Sequence, residues 1–313
     1  MLNAMAIVLE QPEQIALRRL ALDPPGEDDV VVRTAWSGIS TGTERLLFAG
    51  RMPTFPGMGY PLVPGYETIG TVIQAGARAA VREGQIVFVP GARCFGPVRG
   101  LFGGAASSLV SAASRVVPVA EDLGEKSILL ALAATAHHAL AGAQLEGALV
   151  VGHGVLGRLL ARLCVASCDE PPTVWENNSA RLEGAKGYRV LPSNQDDRRD
   201  YRTIFDVSGD SAVLDHLIAH LAPGGEIILA GFYDAPLSFA FAPAFMREAR
   251  LRVAAQWQPS DMAAVSRLVA SGTLSLDGLI THRSPAAEAS NAYSTAFNDP
   301  SCLKMVIDWR DRA

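Results

Sequence analysis

Six consecutive residues, Gly152-His153-Gly154-Val155-Leu156-Gly157, have the spacing G-x-G-x-x-G. Such a turn does its chemistry with the main chain. The first glycine makes the tight turn, the second lets a pyrophosphate approach the backbone, and the third lets helix and strand pack closely. Alone the pattern is weak, because glycine turns are common. Here a strand, Leu149-Val150-Val151, enters the turn and an apolar helix, Leu159-Leu160-Ala161, leaves it, which puts an anion on the helix N-terminus. An acidic residue is then expected about 20 residues later, at the end of the next strand. Glu176 follows Thr173-Val174-Trp175 at that place. A carboxylate there accepts both ribose hydroxyls and repels a 2′-phosphate, which favours NAD over NADP. The candidate cofactor-binding residues are Gly152, His153, Gly154, Val155, Leu156, Gly157 and Glu176, with Arg181, Ser208 and Gly231 as further contacts. Arg181 either stacks on adenine or pairs with Glu183.

The elements that must position this turn follow from periodicity and punctuation. From Ala4 to about Val119 short β-like runs are broken by Gly and Pro: Val30 to Thr34, Thr68 to Gln74, Ile86 to Val89 and Val116 to Val119. That pattern predicts a compact β-barrel-like domain. A long loop from Arg51 to Glu67 carries four prolines and three glycines, and its Met52, Phe55, Met58 and Tyr60 argue for order. Beyond Asp122, Ile128 to Leu140 reads as a buried helix, after which strands and helices alternate. Strands are expected at Ala148–Val151, Thr173–Trp175, Arg189–Leu191, Ile204–Val207, Glu226–Ala230 and Leu251–Ala255. Helices are expected at Leu156–Ala166, Ser179–Lys186 and Ala212–Leu221. Six strands with crossovers describe an α/β, doubly wound parallel sheet. A tail adds a helix at Met262–Ala270, a strand at Leu279–Thr281, another helix and a closing strand at Leu303–Ile307. The division expected is 1–121 with 258–313 for the barrel-like domain, and 122–257 for the dinucleotide domain.

Bulk properties narrow the class. The 313 residues suit two domains, and 49% hydrophobic with 19% charged residues suits a globular protein with a large interior. A formal charge of −5 provides no basic field for nucleic acid. The N-terminal stretch has no basic leader, and the longest apolar run is far short of the roughly 20 residues of a membrane helix, so a cytoplasmic protein is expected, with peripheral membrane contact left open. The cysteines at 94, 164, 168 and 302 form neither a zinc ribbon nor a disulfide framework, and buried reduced thiols are the simplest reading.

The order of barrel, dinucleotide unit and returning tail resembles the medium-chain alcohol dehydrogenase superfamily over essentially the whole chain. Ser37 to Glu44 (SGISTGTE) is similar to the superfamily's S-G-I-C-G-T-D, and Gly65-Tyr66-Glu67 to its G-H-E. Late landmarks are Leu221 to Glu226 and Asp277 to Arg283. The resemblance implies a GroES-like β-barrel domain joined to a Rossmann domain. Longer stretches, at 51–67, 88–107, 150–162, 206–210 and 245–257, resemble the bacteriochlorophyllide a dehydrogenase family. That implies oxidation of the 3-(1-hydroxyethyl) group of a magnesium tetrapyrrole to acetyl, with NAD as acceptor.

Zinc-dependent members of the superfamily hold the metal with Cys, His and a third ligand. Here the Cys position falls on Ser40 or Thr41 and the His position on Tyr66, and a hydroxyl and a phenol are poor zinc ligands. Catalytic and structural zinc are both expected to be absent. Oxidising an ordinary alcohol without metal polarisation is difficult, but a carbinol beside a conjugated macrocycle delocalises the charge that develops, so a protein group need only accept the hydroxyl proton. Candidates are Tyr66, Ser40, Thr43, His138 and His153. His137 or His138 could alternatively ligand the substrate's magnesium, or be a capped or exposed histidine. Glu67 more simply pairs with a cation than does chemistry. His216, His220 and His282 carry no signal.

A flat tetrapyrrole needs an apolar cleft and a cation for its propionate. The loops supply Met52, Phe55, Met58, Tyr60, Arg93, Arg99 and Phe102; residue types alone favour ordered surface loops packed on the barrel, and the resemblance is what implies a substrate cleft. Competing readings are a zinc-free quinone or enone reductase, against which Glu176 speaks, and a non-enzymatic dinucleotide-binding accessory protein. The resemblance also implies a homodimer formed through the last sheet strand, near Leu251 to Ala255.

Overall fold

A computed structural model describes residues 2–53 and 56–310. The chain separates into two compact units, Met1–Ala131 with Leu279–Ala313, and Leu132–Gly278. The return to the first unit comes later than composition suggests. Asp261, on a helix expected to lie with the barrel, accepts hydrogen bonds from His137 and His138 of the second unit.

The first unit opens with a hairpin, β1 (Asn3–Gln11) and β2 (Gln14–Ala21), then a long strand β3 (Asp29–Ile39) and a short helix α1 (Thr43–Phe48). Strands β4 (Leu62–Val63), β5 (Thr68–Ala75), β6 (Ile86–Val89), β7 (Arg99–Gly100), β8 (Ser108–Ala112) and β9 (Val117–Pro118) follow. The β-branched run of β3 pairs antiparallel with both β5 and β8, which buries Val30, Val31 and Val32 completely. Among the described residues β1, β2, β4 and β7 form a second, four-stranded sheet. The barrel-like pattern of short strands is thus two sheets around one apolar core of Val, Ile, Leu and Ala side chains.

Helix α2 (Leu130–Leu140) leads into the second unit, whose strands are β10 (Leu149–Val151), β11 (Thr173–Trp175), β12 (Arg189–Leu191), β13 (Tyr201–Asp206), β14 (Leu221–Leu229) and β15 (Arg250–Val253). They lie parallel in the order β12-β11-β10-β13-β14-β15, the doubly wound order whose ligand crevice opens at the carboxyl end of the first strand. Between them run α3 (Val155–Ser167), α4 (Leu214–His220) and α5 (Phe241–Met246), with α6 (Pro259–Ala270) after β15. The tail adds β16 (His282–Pro285), α7 (Ala289–Asn298) and β17 (Met305–Asp308); β17 pairs with β3 and so closes the first unit.

Two expectations need correction. The helix expected over Ser179–Lys186 is only a 3-10 turn at Ser179–Arg181, because Gly184 and Gly187 take φ of 88° and 80° and end any helical run. The strand expected at Leu279–Thr281 forms three residues later, where His282 to Pro285 pair in register with Met305 to Asp308.

Candidate functional site

In the second unit the glycine turn joins β10 to α3. Gly152 adopts φ of 106°, open to glycine at little cost. A side chain on Gly157 would stand 1.8 Å from the Gly152 carbonyl, so only glycine lets α3 pack against the strand end. Gly154 is the N-cap of α3; no side chain caps it and nothing lies near where its Cβ would be. The helix N-terminus therefore keeps its amide donors for an anion. Glu176 follows β11 and is clamped: one oxygen accepts from the His153 amide at 3.0 Å, the other from the Asn178 amide at 2.8 Å. A cavity of about 330 Å³ lies beside them, lined by Gly152, Trp175, Glu176, Ser193 and Ser208 among others. These residues fit an adenine dinucleotide: uncapped amides for phosphate, a fixed carboxylate for ribose hydroxyls, and space beyond the strand ends.

Other expected contacts fare differently. The His153 ring is buried and committed, with Nδ1 2.6 Å from the Arg181 carbonyl and Nε2 2.9 Å from the Tyr188 hydroxyl. Burial pushes its pKa down to about 4. It has no ring nitrogen left for phosphate or for proton transfer, and this corrects its sequence-based candidacy for either role. Arg158, which sequence reasoning missed, donates from Nε to the His153 carbonyl at 3.0 Å and from Nη2 to the Glu183 carbonyl at 2.7 Å. It ties the turn to the segment after β11. Val155 is buried in α3 while Leu156 is partly accessible. Arg181 ends its 3-10 turn half-buried. The Ser208 hydroxyl donates to Asp206 at 2.7 Å, and Gly231 donates its amide to the Asp206 carbonyl at 3.0 Å. Both thus frame the carboxyl end of β13.

The first unit holds a cluster of hydroxyls and carboxylates. The Tyr66 hydroxyl donates to Ser40 Oγ at 2.8 Å. Desolvation, and after it the negative charge of Glu67, raises the phenol's pKa, while Ser40 and Thr43 partly offset this. Tyr66 therefore holds its proton near neutrality. Glu67 is fully buried and receives two hydrogen bonds from the Lys304 ammonium, at 2.7 and 3.0 Å. A side chain on Gly38 would meet that carboxylate at 2.2 Å, which is why a glycine precedes Ile39. Glu44, on α1, was not singled out by its type. Its carboxyl accepts from the Ser40 amide at 3.0 Å and from the Tyr293 hydroxyl at 2.7 Å, and burial pushes its pKa up to about 7. Its signal was its position in SGISTGTE, where the resemblance has an acidic residue.

The places that the resemblance gives to a zinc site's Cys and His, Ser40 or Thr41 and Tyr66, thus carry hydroxyls, with Ser40 and Tyr66 bonded to each other beside a glutamate paired with lysine. These donors do not fit zinc. Among the described residues no group of three His, Cys, Asp or Glu could hold a metal ion.

The substrate candidates lie in the same unit. Met52, Met58, Tyr60 and Phe102 pack partly buried on a small cluster of Leu9, Leu47, Leu62 and Leu101. The Tyr60 hydroxyl donates to the Leu47 carbonyl. Phe102 also stands edge-on to Tyr66, with centroids 5.3 Å apart, and so links the hydroxyl pair to the Met and aromatic cluster. Arg99 is exposed but donates to the Met58 carbonyl at 2.7 Å, which holds the loop; Arg93 is exposed. Phe55 lies outside the described residues. His138, expected as a proton acceptor, instead pairs through Nδ1 with Asp261 at 2.9 Å, beside His137 at 2.8 Å.

Residues 26–121 match the alcohol dehydrogenase GroES-like domain. The chain is 56% identical to the 2-desacetyl-2-hydroxyethyl bacteriochlorophyllide A dehydrogenase of Rhodobacter capsulatus, over 99% of each chain. It is 54% identical to the protein of the same name from Cereibacter sphaeroides, over the full length of both. Its fold is that of a short chain alcohol dehydrogenase from E. coli CFT073 solved with NADH (TM-score 0.83, 19% identity, 98% of this chain and 99% of that one). It is also that of a zinc-binding dehydrogenase from Sinorhizobium meliloti 1021 bound to NADP (TM-score 0.79, 18% identity, covering 98% and 100%).

Proposed function

The chain belongs to the 2-desacetyl-2-hydroxyethyl bacteriochlorophyllide A dehydrogenase family, and from that premise we propose how its residues carry out the family's reaction. The enzyme oxidises the hydroxyethyl side chain of a bacteriochlorophyllide to acetyl, using a nicotinamide dinucleotide. When bound, that cofactor supplies the acceptor for the hydride leaving the carbinol carbon.

The carrying observation is the continuity of one hydroxyl pair with one apolar surface. Tyr66 bonds to Ser40 on one side and meets Phe102 on the other, and Phe102 joins Met52, Met58 and Tyr60. Such a surface suits a flat macrocycle, and the hydroxyl pair suits the one proton that must leave the substrate. A phenol whose pKa is raised is a poor resting base. Its role is to pass a proton: Tyr66 Oη accepts from the substrate hydroxyl as its own proton moves to Ser40 Oγ, and Ser40 gives up its own hydroxyl proton in turn to water, so that neither side chain changes charge. Glu44 holds the Ser40 backbone, and the Glu67–Lys304 pair anchors Tyr66's neighbour in the chain, so both act by positioning. Conjugation of the carbinol with the macrocycle lowers the demand that a zinc ion meets elsewhere in the superfamily. An aliphatic secondary alcohol turned over as fast as the pigment would count against that reasoning.

NAD is the preferred dinucleotide in this reading, because the clamped Glu176 carboxylate would oppose a 2′-phosphate. A homodimer through β15 is part of the same reading: Val253 is 75% exposed on that edge strand, and an unpaired edge invites sheet extension. No helix among the described residues is long and apolar enough to cross a membrane. The test is spectroscopic. Adding NAD to enzyme and hydroxyethyl pigment should shift the long-wavelength absorption as the acetyl group enters conjugation, and NADP should do so far more slowly. No shift with either dinucleotide would overturn the reading.

A further inference from the structure

His153 stands between two glycines of the turn, and each of its polar groups is held. Its amide donates to Glu176 Oε2 at 3.0 Å, and its carbonyl accepts from Arg158 Nε at 3.0 Å. Its wholly buried ring meets the Arg181 carbonyl through Nδ1 at 2.6 Å and the Tyr188 hydroxyl through Nε2 at 2.9 Å. A carbonyl only accepts, so Nδ1 carries the proton and Nε2 accepts from the tyrosine. Burial keeps the ring neutral and so preserves that arrangement. Arg158, also buried, donates from Nη2 to the Arg181 and Glu183 carbonyls, at 3.2 and 2.7 Å. A side chain on Gly184 would stand 2.2 Å from Arg158 Nη1, so a glycine there leaves room for the guanidinium.

Glycine tolerates many backbone angles, so the peptides beside Gly152 and Gly154 can reorient at little cost. If the His153 amide turned away, Glu176 would keep only the Asn178 amide, at 2.8 Å, and its carboxylate could swing. Three hydrogen bonds oppose that movement, two at the imidazole and one at the carbonyl. Anchoring ring and carbonyl fixes two substituents of the His153 Cα, and tetrahedral geometry then places the amide nitrogen. The carboxylate that this amide meets lines the cavity beside Gly152. A carboxylate fixed before the ligand arrives loses less freedom on binding ribose hydroxyls. One that can swing aside also opposes a 2′-phosphate less.

Resting on the dinucleotide reading above, we infer that His153 and Arg158 are positioning residues that set the preference for NAD over NADP, by holding Glu176 in place through the backbone of the turn. Both act through Glu176 and not by contact with the ribose. Arg158 and Tyr188 make the crossover segment 181–188 part of the same support, although it is remote from the turn in sequence.

The experiment titrates the full-length protein with NADH and with NADPH, following nicotinamide fluorescence, and takes the ratio of the two dissociation constants. Both dinucleotides share the pyrophosphate, so a general loosening of the turn cancels in that ratio. The wild-type protein should prefer NADH, and Glu176→Gln should bring the preference close to unity. His153→Ala should narrow the preference about tenfold or more, NADH affinity falling further than NADPH affinity. His153→Asn keeps a donor for the Arg181 carbonyl and should recover part of the preference. Arg158→Lys keeps the charge but cannot bridge the His153 and Glu183 carbonyls, and should narrow the preference in the same direction. Thermal unfolding of each variant reports folding. If His153→Ala does not fold, Arg158→Lys and Tyr188→Phe decide, each with the same expected direction. If Glu176→Gln abolishes the preference while the folded variants keep the wild-type ratio, the dinucleotide reading stands and the inference is overturned alone. If the wild type binds both dinucleotides equally, or Glu176→Gln keeps the preference, the reading of Glu176 falls and the inference with it. If the wild type binds neither, the dinucleotide site itself falls.

Discussion

Replacing Glu44 by glutamine tests the electrostatics around Ser40 and Tyr66 without replacing either residue. The Glu44 carboxyl is fully buried, and desolvation outweighs the hydrogen bonds from Ser40 and Tyr293, moving its pKa from 4.5 to about 7. The folded state therefore binds a proton that the unfolded state releases between those values. Stability from this group is fully present below about pH 4.5 and is lost as pH rises through about 7. At about 1.4 kcal/mol per pH unit the loss is roughly 3 kcal/mol, most of it between about pH 5 and pH 7. Glutamine keeps an acceptor for the Ser40 amide and offers Tyr293 a donor, but it does not titrate. Urea unfolding of both proteins across this range should show the variant gaining on the wild type by roughly 2 to 3 kcal/mol as pH rises. His153 acts oppositely, since its depressed pKa costs stability as pH falls from 6.5 towards 4, but it is common to both proteins and cancels in the difference. Parallel pH profiles for variant and wild type would refute the reasoning.

Other outcomes follow from the same geometry. Tyr66→Phe should lower kcat by about 10²–10⁴-fold with little change in dinucleotide affinity; near wild-type turnover would remove Tyr66 from the proton path. Glu67→Gln leaves the Lys304 ammonium buried without its counter-ion and should cost about 3–5 kcal/mol in chemical unfolding, whereas replacing both partners by apolar residues should cost much less. Gly157→Ala places a carbon 1.8 Å from the Gly152 carbonyl, so dinucleotide binding measured by fluorescence titration should be lost. Dialysis against a strong chelator should leave turnover unchanged, and activity restored only by zinc would contradict the reading of Ser40 and Tyr66.

What was legible in the sequence was local. The strand, turn and helix around Gly152 are one contiguous segment, and Glu176 arrives one strand later, so spacing alone located them. The β-branched runs of β3, β5 and β6 carried their own period. The helix expected over 179–186 fails although its helix formers outnumber its one glycine, because the left-handed backbone at Gly184, and at Gly187 just beyond it, decides the path. The remaining site depends on pairings no local pattern encodes. Tyr293 lies 249 residues from Glu44, Lys304 lies 237 from Glu67, and Asp261 lies 123 from His138. His153 looked available because its partners, the Arg181 carbonyl and Tyr188, arrive from the following crossover. Resemblance supplied the places of Ser40 and Tyr66, but only the fold shows that they bond to each other.

The most direct test of the reaction uses hydroxyethyl bacteriochlorophyllide carrying deuterium at the carbinol carbon, incubated with the enzyme and NAD. One deuterium should appear at C4 of the reduced nicotinamide for each acetyl group formed, with a primary isotope effect when chemistry limits the rate. Acetyl pigment formed while the deuterium passes to water, or while the dinucleotide stays unlabelled, would contradict direct hydride transfer to a cofactor held at the Gly152 turn.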